Sequence, residues 1–277
     1  MVTEDDVFHD TFQAIIGLAF PEFAEPGVVP LFDEMMEEQI LGHNVFAFFM
    51  SMNPKDEDSE VMFGAWNPDH MDDSYDGEPI WHPVVHQRFW SIKLDDIRIG
   101  DVSLGLCGPD KNCLVTPDSG TSQITFPEWA VTQYESEFPE WVEGECEDDY
   151  DWGDLIYVIN DIEYPIPSYH WNKRNLDTDT GVSTCKTRIH GLDVGAGLDD
   201  LFIVGDTFMQ IYYTVFDREE NEDEDYPMGR VGFALSKHTA PDVIDLYDTD
   251  NNYLSTTYEC EESYIDASVC DDYEPSE

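Results

Sequence analysis

Apolar residues along the chain fall mostly in short runs and alternations, with helical spacing in only two places. After Pro30, the residues Leu31, Phe32, Met35, Met36 and Ile40 recur at helical intervals with Asp33, Glu34, Glu37 and Glu38 between them. That spacing predicts a helix that Pro30 begins and Gly42 ends, with the methionines as core filling. Residues 12–20 predict a buried strand and turn, residues 45–50 and 61–66 two strands, and 54–60 a charged turn. Residues 67–79, with Asn-Pro, three Asp and a glycine, read as loop. From 80 to 106 the chain alternates, with Ile92, Leu94, Ile97 and Ile99 apolar between polar neighbours, as antiparallel strands require. A second short helix is expected over 127–138, an acidic loop over 143–154 and strand over 155–166. Residues 201–217 and 230–235 read as a long apolar strand pair joined by the acidic insertion 219–227. No repeat of fixed period occurs. Strands dominate, so the fold class is mostly β with short helices.

Composition sharpens this picture. At 277 residues, 41% hydrophobic and 13% aromatic, the chain has material for one large β domain or two lobes. With 62 acidic against 12 basic residues the formal net charge is −50, which repels nucleic acid and anionic lipid. Such acidity fits a protein for acidic surroundings, where carboxylates take up protons, or for high salt, where ions screen them. No apolar run is long enough to span a membrane as a helix. The start, Met-Val-Thr-Glu-Asp-Asp, lacks the basic and apolar regions of a signal peptide. The cysteines are Cys107, Cys113, Cys146, Cys185, Cys260 and Cys270, an even set that points to disulfides and an oxidising compartment. They form no CxxC pair, and no metal ligand set or cofactor is assigned. A near match to a calcium loop over 248–259 has Tyr253 where glycine is needed and no helical flanks. It reads as a chance pattern in an acidic chain. No Asn-x-Ser/Thr sequon is present.

The chemistry-bearing stretch is Asp118-Ser119-Gly120-Thr121-Ser122, behind the apolar run Leu114-Val115. Gly120 permits a tight turn, and the hydroxyls of Ser119 and Thr121 can hydrogen-bond the Asp118 carboxylate. Alone, Asp-Ser-Gly is also an ordinary surface turn. Its neighbours change the reading. In order along the chain stand Ala14-Ile15-Ile16-Gly17-Leu18-Ala19-Phe20-Pro21, the helix after Pro30, and Phe89-Trp90-Ser91-Ile92. After the Asp118 motif come Phe202-Ile203-Val204-Gly205-Asp206-Thr207-Phe208, Tyr212-Tyr213-Thr214-Val215-Phe216-Asp217 and Arg230-Val231-Gly232-Phe233-Ala234. This ordered set, across roughly residues 8–236, resembles a pepsin-like aspartic protease from the middle of its N-terminal lobe to the end of its C-terminal lobe.

The resemblance implies an endopeptidase in which two Asp share one proton and activate water at acidic pH. Asp118 is one of them, Ser119, Gly120 and Thr121 support it, and Phe89 lines the substrate cleft. Pro117 stands where the family has a small apolar residue, and it removes a backbone donor ahead of Asp118. The resemblance pairs Cys107 with Cys113 and Cys146 with Cys185, leaving Cys260 with Cys270. It divides the chain into residues 1–82, a remnant of the N-terminal lobe and inter-lobe strand; 83–237, the catalytic C-terminal lobe; and 238–277, an acidic tail that looks like an appendage. The expected setting is the secretory pathway, outside the cell or in an acidic lysosome- or vacuole-like compartment.

The family's first catalytic Asp would precede residue 12, so the chain is expected to be N-terminally incomplete. Its partners are then a peptide or protein substrate and the missing lobe segment, or a second copy of the chain supplying another Asp118. The other triplet, Asp179-Thr180-Gly181, lies in a polar stretch without a preceding apolar strand and reads as a solvated turn. The alternative function is a protease-like binding protein with an inactive site.

Overall fold

The computed structural model describes residues 15–52, 57–146, 152–195, 197–219 and 228–238, and the backbone of two strands at 242–248 and 253–259. In chain order, helix α1 (Leu31–Glu37) precedes strands β1 (Val45–Phe49) and β2 (Glu60–Phe63). Strands β3 (Ile80–Gln87), β4 (Trp90–Lys93), β5 (Asp96–Ile99), β6 (Val102–Ser103) and β7 (Leu114–Pro117) lead to Asp118. Beyond it come β8 (Ile124–Phe126), α2 (Glu128–Glu137), β9 (Glu143–Glu145), β10 (Leu155–Ile159), β11 (Ile162–Ile166) and α3 (Ser168–Trp171). Next are β12 (Asn172–Leu176), β13 (Ser183–Thr187), β14 (Ile189–Gly191), β15 (Leu201–Val204) and α4 (Asp206–Met209). The chain continues through β16 (Tyr212–Asp217), β17 (Arg230–Leu235), β18 (Asp242–Asp248) and β19 (Tyr253–Glu259). The molecule is mostly β, with few and short helices.

The largest sheet has 10 strands in the order β14-β8-β15-β7-β4-β3-β17-β16-β1-β2. Its middle strands are covered on both faces, so β15 and β16 are buried at every position; β15 reads as an unbroken apolar run, and β16 adds buried Thr214 and Asp217 to one. Alternate residues of β1 and β16 feed two cores. Phe46 and Phe216 stack at 4.8 Å beside Trp90 in the larger one, while Val45, Ala47, Phe49, Tyr213 and Val215 serve the smaller. Trp90 donates its indole N–H to the Leu18 carbonyl at 3.0 Å, fastening the first apolar block to the sheet. In the hairpin of β10 and β11 the turn residues Asn160 and Asp161 have φ of 50° and 63°, the left-handed pair a two-residue hairpin turn demands.

Several expectations are corrected. Helix α1 stops at Glu37 rather than at Gly42, because Gln39 turns left-handed at φ 55°. Of the first block, Ile15 and Ile16 are 72% and 62% exposed and form no strand, though Phe20 is buried; residues 12–14 lie outside the described region. The acidic stretch after 143 begins with β9, paired to β13. The long run from 201 to 217 is broken by α4, for a reason that belongs to the site. The tail is not a loose appendage over its described part. Strand β18 pairs in parallel with β12 (Asn175↔Tyr247, Leu176↔Asp248) and β19 pairs with β18 in a five-stranded sheet. Asp248 and Glu259 therefore sit in strands, not beside helices.

The disulfides are Cys107–Cys113, closing a short loop, and Cys146–Cys185, which ties the residue after β9 to β13. Both pairings match the expected ones; Cys260 and Cys270 lie outside the described residues. Among the described residues no helix is long and apolar enough to cross a membrane.

Candidate active site

Strand β7 carries the chain to Asp118 between β15, its parallel neighbour, and β4, its antiparallel one. Pro117 ends the strand without cost to the ladder. The β4–β7 register stops at Ile92↔Val115, short of Pro117, and Asp118 itself donates its N–H to the Val204 carbonyl at 3.0 Å. The chain then turns tightly, with the Thr121 N–H donating to the Asp118 carbonyl at 3.0 Å.

Both carboxylate oxygens of Asp118 are held from within this turn. Oδ1 accepts from the Gly120 N–H at 2.9 Å, and Oδ2 accepts from the Thr121 hydroxyl at 2.8 Å. Gly120 suits the fold-back, since a Cβ there would sit 3.2 Å from Oδ1. Ser119 is exposed and its hydroxyl makes no bond to the carboxylate, so the orienting donors are a backbone amide and one threonine rather than two hydroxyls. The carboxylate is half-buried and accepts charge-assisted hydrogen bonds, which fixes its direction while leaving one side to solvent.

A second segment locks the turn from below. The N–H groups of Gly205 and Asp206 donate to the carbonyls of Gln123 and Thr121 at 3.1 and 2.8 Å. A Cβ on Gly205 would fall 1.8 Å from the Thr121 oxygen, so only glycine fits between β15 and the Asp118 turn. These two bonds divert the chain out of the sheet into α4, which is why the apolar run is not one strand. Asp206 is half-buried, and its carboxyl is held above the usual carboxylate range, first by burial and then by the Asp118 charge. Sequence reading passed over Asp206, although its place after Gly205 in the Ile-Val-Gly-Asp run could have marked it. Beside the same turn, exposed His190 contacts the Gln123 side chain, brought there by the parallel pairing of β14 with β8.

Phe89 lies away from this turn's hydrogen bonds, half-buried, with its ring 4.7 Å from Phe23. Phe23 in turn lines an apolar groove of about 450 Å³ walled by residues 15–31, none of which belongs to the Asp118 turn. Asp179-Thr180-Gly181 is the hairpin turn between β12 and β13. There Asp177 Oδ1 accepts the N–H groups of Asp179 and Thr180 at 2.9 and 3.1 Å, and Gly181 has φ +72°. It is a self-capped surface turn. His82 and His86 have a four-residue spacing that would converge on a helix, yet they stand on β3. His82 is buried against the Tyr164 hydroxyl at 2.7 Å and His86 is exposed.

The model of the family described as eukaryotic aspartyl protease matches residues 2–224. The chain belongs to the eukaryotic aspartyl protease family. Cathepsin E of Cavia porcellus is 33% identical over 82% of this chain and 55% of its own length. Cathepsin D of Chionodraco hamatus is 32% identical over 82% of the chain and 54% of its own length, and pepsin A of Sus scrofa is 29% identical over 78% and 54%. The chain thus spans about half the length of the curated relatives it matches.

Proposed function

We propose that this chain carries one half of the catalytic apparatus of an acid-acting aspartic endopeptidase, with Asp118 as its reactive carboxylate. The observation that supports this most is the double hold on that carboxylate by Gly120 N–H and Thr121 Oγ1, inside a turn braced by Gly205 and Asp206. In the reaction Asp118 and a second carboxylate share one proton across a water molecule. The ionised member takes a proton from the water as it attacks the scissile carbonyl, and the protonated member gives its proton to the developing oxyanion. Thr121 and Gly120 keep Asp118 pointing at that water, and Phe89 with the residues around it lines the cleft for the peptide. The lobe assignment, with 83–237 as the catalytic lobe and 1–82 as the end of the other, belongs to the same reading. So does an oxidising, secretory or acidic-organelle setting, in keeping with the two disulfides.

The test is peptide cleavage at about pH 4 by the complete natural polypeptide that contains these residues. Asp118→Asn is expected to reduce kcat by about 10³-fold or more while circular dichroism stays unchanged, an effect typical of losing a catalytic group. A statine-type peptide should inhibit the unmutated protein. Undiminished cleavage by Asp118→Asn would remove Asp118 from the mechanism. Tight peptide binding without any cleavage would identify the protein instead as a binding member of the family.

A further inference from the structure

The structure holds a second cluster of ionisable groups away from the Asp118 turn, where the end of the last large-sheet strand meets two loops. His238 follows β17 and is almost fully buried. Its two ring nitrogens both face acceptors. Nδ1 lies 2.7 Å from the Glu57 carboxylate, which is itself buried, and Nε2 lies 2.6 Å from the Gln210 carbonyl. A neutral imidazole has one N–H and can donate only one of these bonds; an imidazolium donates both.

The surroundings lock these partners to the core. Gln210 caps the C-terminal end of α4 and sends its side-chain amide to the Ser51 carbonyl at 3.2 Å. Ser51 is bound to Ser59 through its own N–H at 3.1 Å. The Ser236 N–H donates to the Ile211 carbonyl and the Lys237 N–H to the His70 carbonyl, at 2.8 and 3.0 Å. Phe49 carries the rings of both His238 and His70, at 5.2 and 4.0 Å, and a cationic ring is favoured against an aromatic face.

Among the described residues, the charges facing His238 come from several elements. Glu57 stands on its loop. His70 lies 3.2 Å from Glu60 on β2, close enough for an ion pair but without hydrogen-bond geometry. His170 on α3 is buried with an unpartnered Nε2. Its pKa is lowered to about 3 by burial first, then by the charges of Arg188 and His238, so it stays neutral. Lys237 is turned outward to Asp73 at 2.8 Å. Among the described residues, Glu57 is thus the carboxylate in direct contact with the His238 ring.

We propose that His238 is an acid-set clasp: as an imidazolium it bridges the Glu57 carboxylate and the Gln210 carbonyl, locking the end of β17, the 57–59 loop and α4 together, and it slackens when the ring loses its second proton. The clasp does not depend on the role given to Asp118. It reaches α4, which one helical turn earlier braces the Asp118 turn through Gly205 and Asp206, so its acid-set state is also the one that would hold that turn firm.

The test compares thermal unfolding of the full chain with His238→Gln and Glu57→Gln between pH 5 and 8, together with nitrogen-15 imidazole spectra of the unmutated protein. The spectra are expected to show both His238 nitrogens protonated at pH 5, with one proton lost as pH rises. In Glu57→Gln that proton should leave at lower pH. The melting temperature should exceed that of His238→Gln most at pH 5, with the gap closing toward pH 8. Should both variants fail to fold, the spectra alone decide. A neutral His238 at pH 5, with its second bond donated by a protonated Glu57, would overturn the proposal. A stability gap independent of pH would do the same.

Discussion

Asp118 and Asp206 meet through the backbone of one turn, and their charges are not independent. Burial and the neighbouring Asp118 charge both disfavour ionised Asp206, raising its pKa in the folded protein. A carboxyl raised on folding binds its proton more tightly in the native state. Its stabilising contribution is therefore complete below the ordinary carboxylate range and is lost as pH climbs through the folded value. Asp206→Asn should leave stability unchanged at about pH 3 and increase it modestly at pH 7, the size limited by its half-exposed state. Urea unfolding at both pH values measures this, and an increase confined to acid would contradict the sign. At the same scale, Thr121 shows how a sequence motif and a geometry differ. The motif offered two hydroxyls, whereas one hydroxyl and the Gly120 amide make the bonds, because the turn points Ser119 outward.

The two disulfides act on elements of different reach. Cys107–Cys113 spans a separation of 6 residues, while Cys146–Cys185 spans 39 and fastens the β9 end to β13 across the region of β10 through β12. On chain-entropy grounds the longer closure restrains the unfolded chain by about 4 kcal/mol and the shorter by about 2 kcal/mol. Replacing Cys146 and Cys185 together by alanine should thus lower the urea midpoint more than replacing Cys107 and Cys113. The reverse order would mean that the small loop before β7 matters more through its packing than through its closure. Elements also show where periodicity misled. The run from 201 to 217 is predominantly apolar, so pattern alone reads strand. The break at Gly205 comes from carbonyls of residues 121 and 123, more than eighty positions earlier.

For the whole molecule, stability is set by opposed titrations. At pH 7 a formal charge of −50 crowds the surface, and added salt should raise the melting temperature by screening it. Acid relieves that crowding but exposes a different cost. Buried His82 has its pKa lowered to about 4, mainly by burial with Asp95 opposing, and His170 is lowered to about 3. An unfolded histidine takes its proton near pH 6.5. Each buried ring therefore contributes stability above that value, which is lost as pH falls through the folded one. Calorimetry is expected to find a stability maximum at mildly acidic pH. Salt should help more at pH 7 than at pH 5, and the fall from pH 6 to 4 should be shallower in His82→Gln. Equal salt effects at both values would show that surface charge is not the limiting term at neutrality.

The sequence by itself was enough to establish the fold class, the family resemblance and the Asp118 turn, and that resemblance implied both described disulfide pairings. The first three rest on local chemistry: alternation of apolar residues, blocks in a fixed order and a glycine where the backbone folds back. The end of α1 at Gln39, the strand at β9 and the docking of β18 on β12 were not legible, since they depend on partners far away in the chain. The same holds for the site. The sequence named Asp118, but only the folded chain placed Gly205 and Asp206 beneath it and joined His238 to Glu57 and Gln210. Side-chain identity travels along the chain, whereas hydrogen-bond partners and electrostatic neighbours are fixed by packing between segments that sequence order keeps apart.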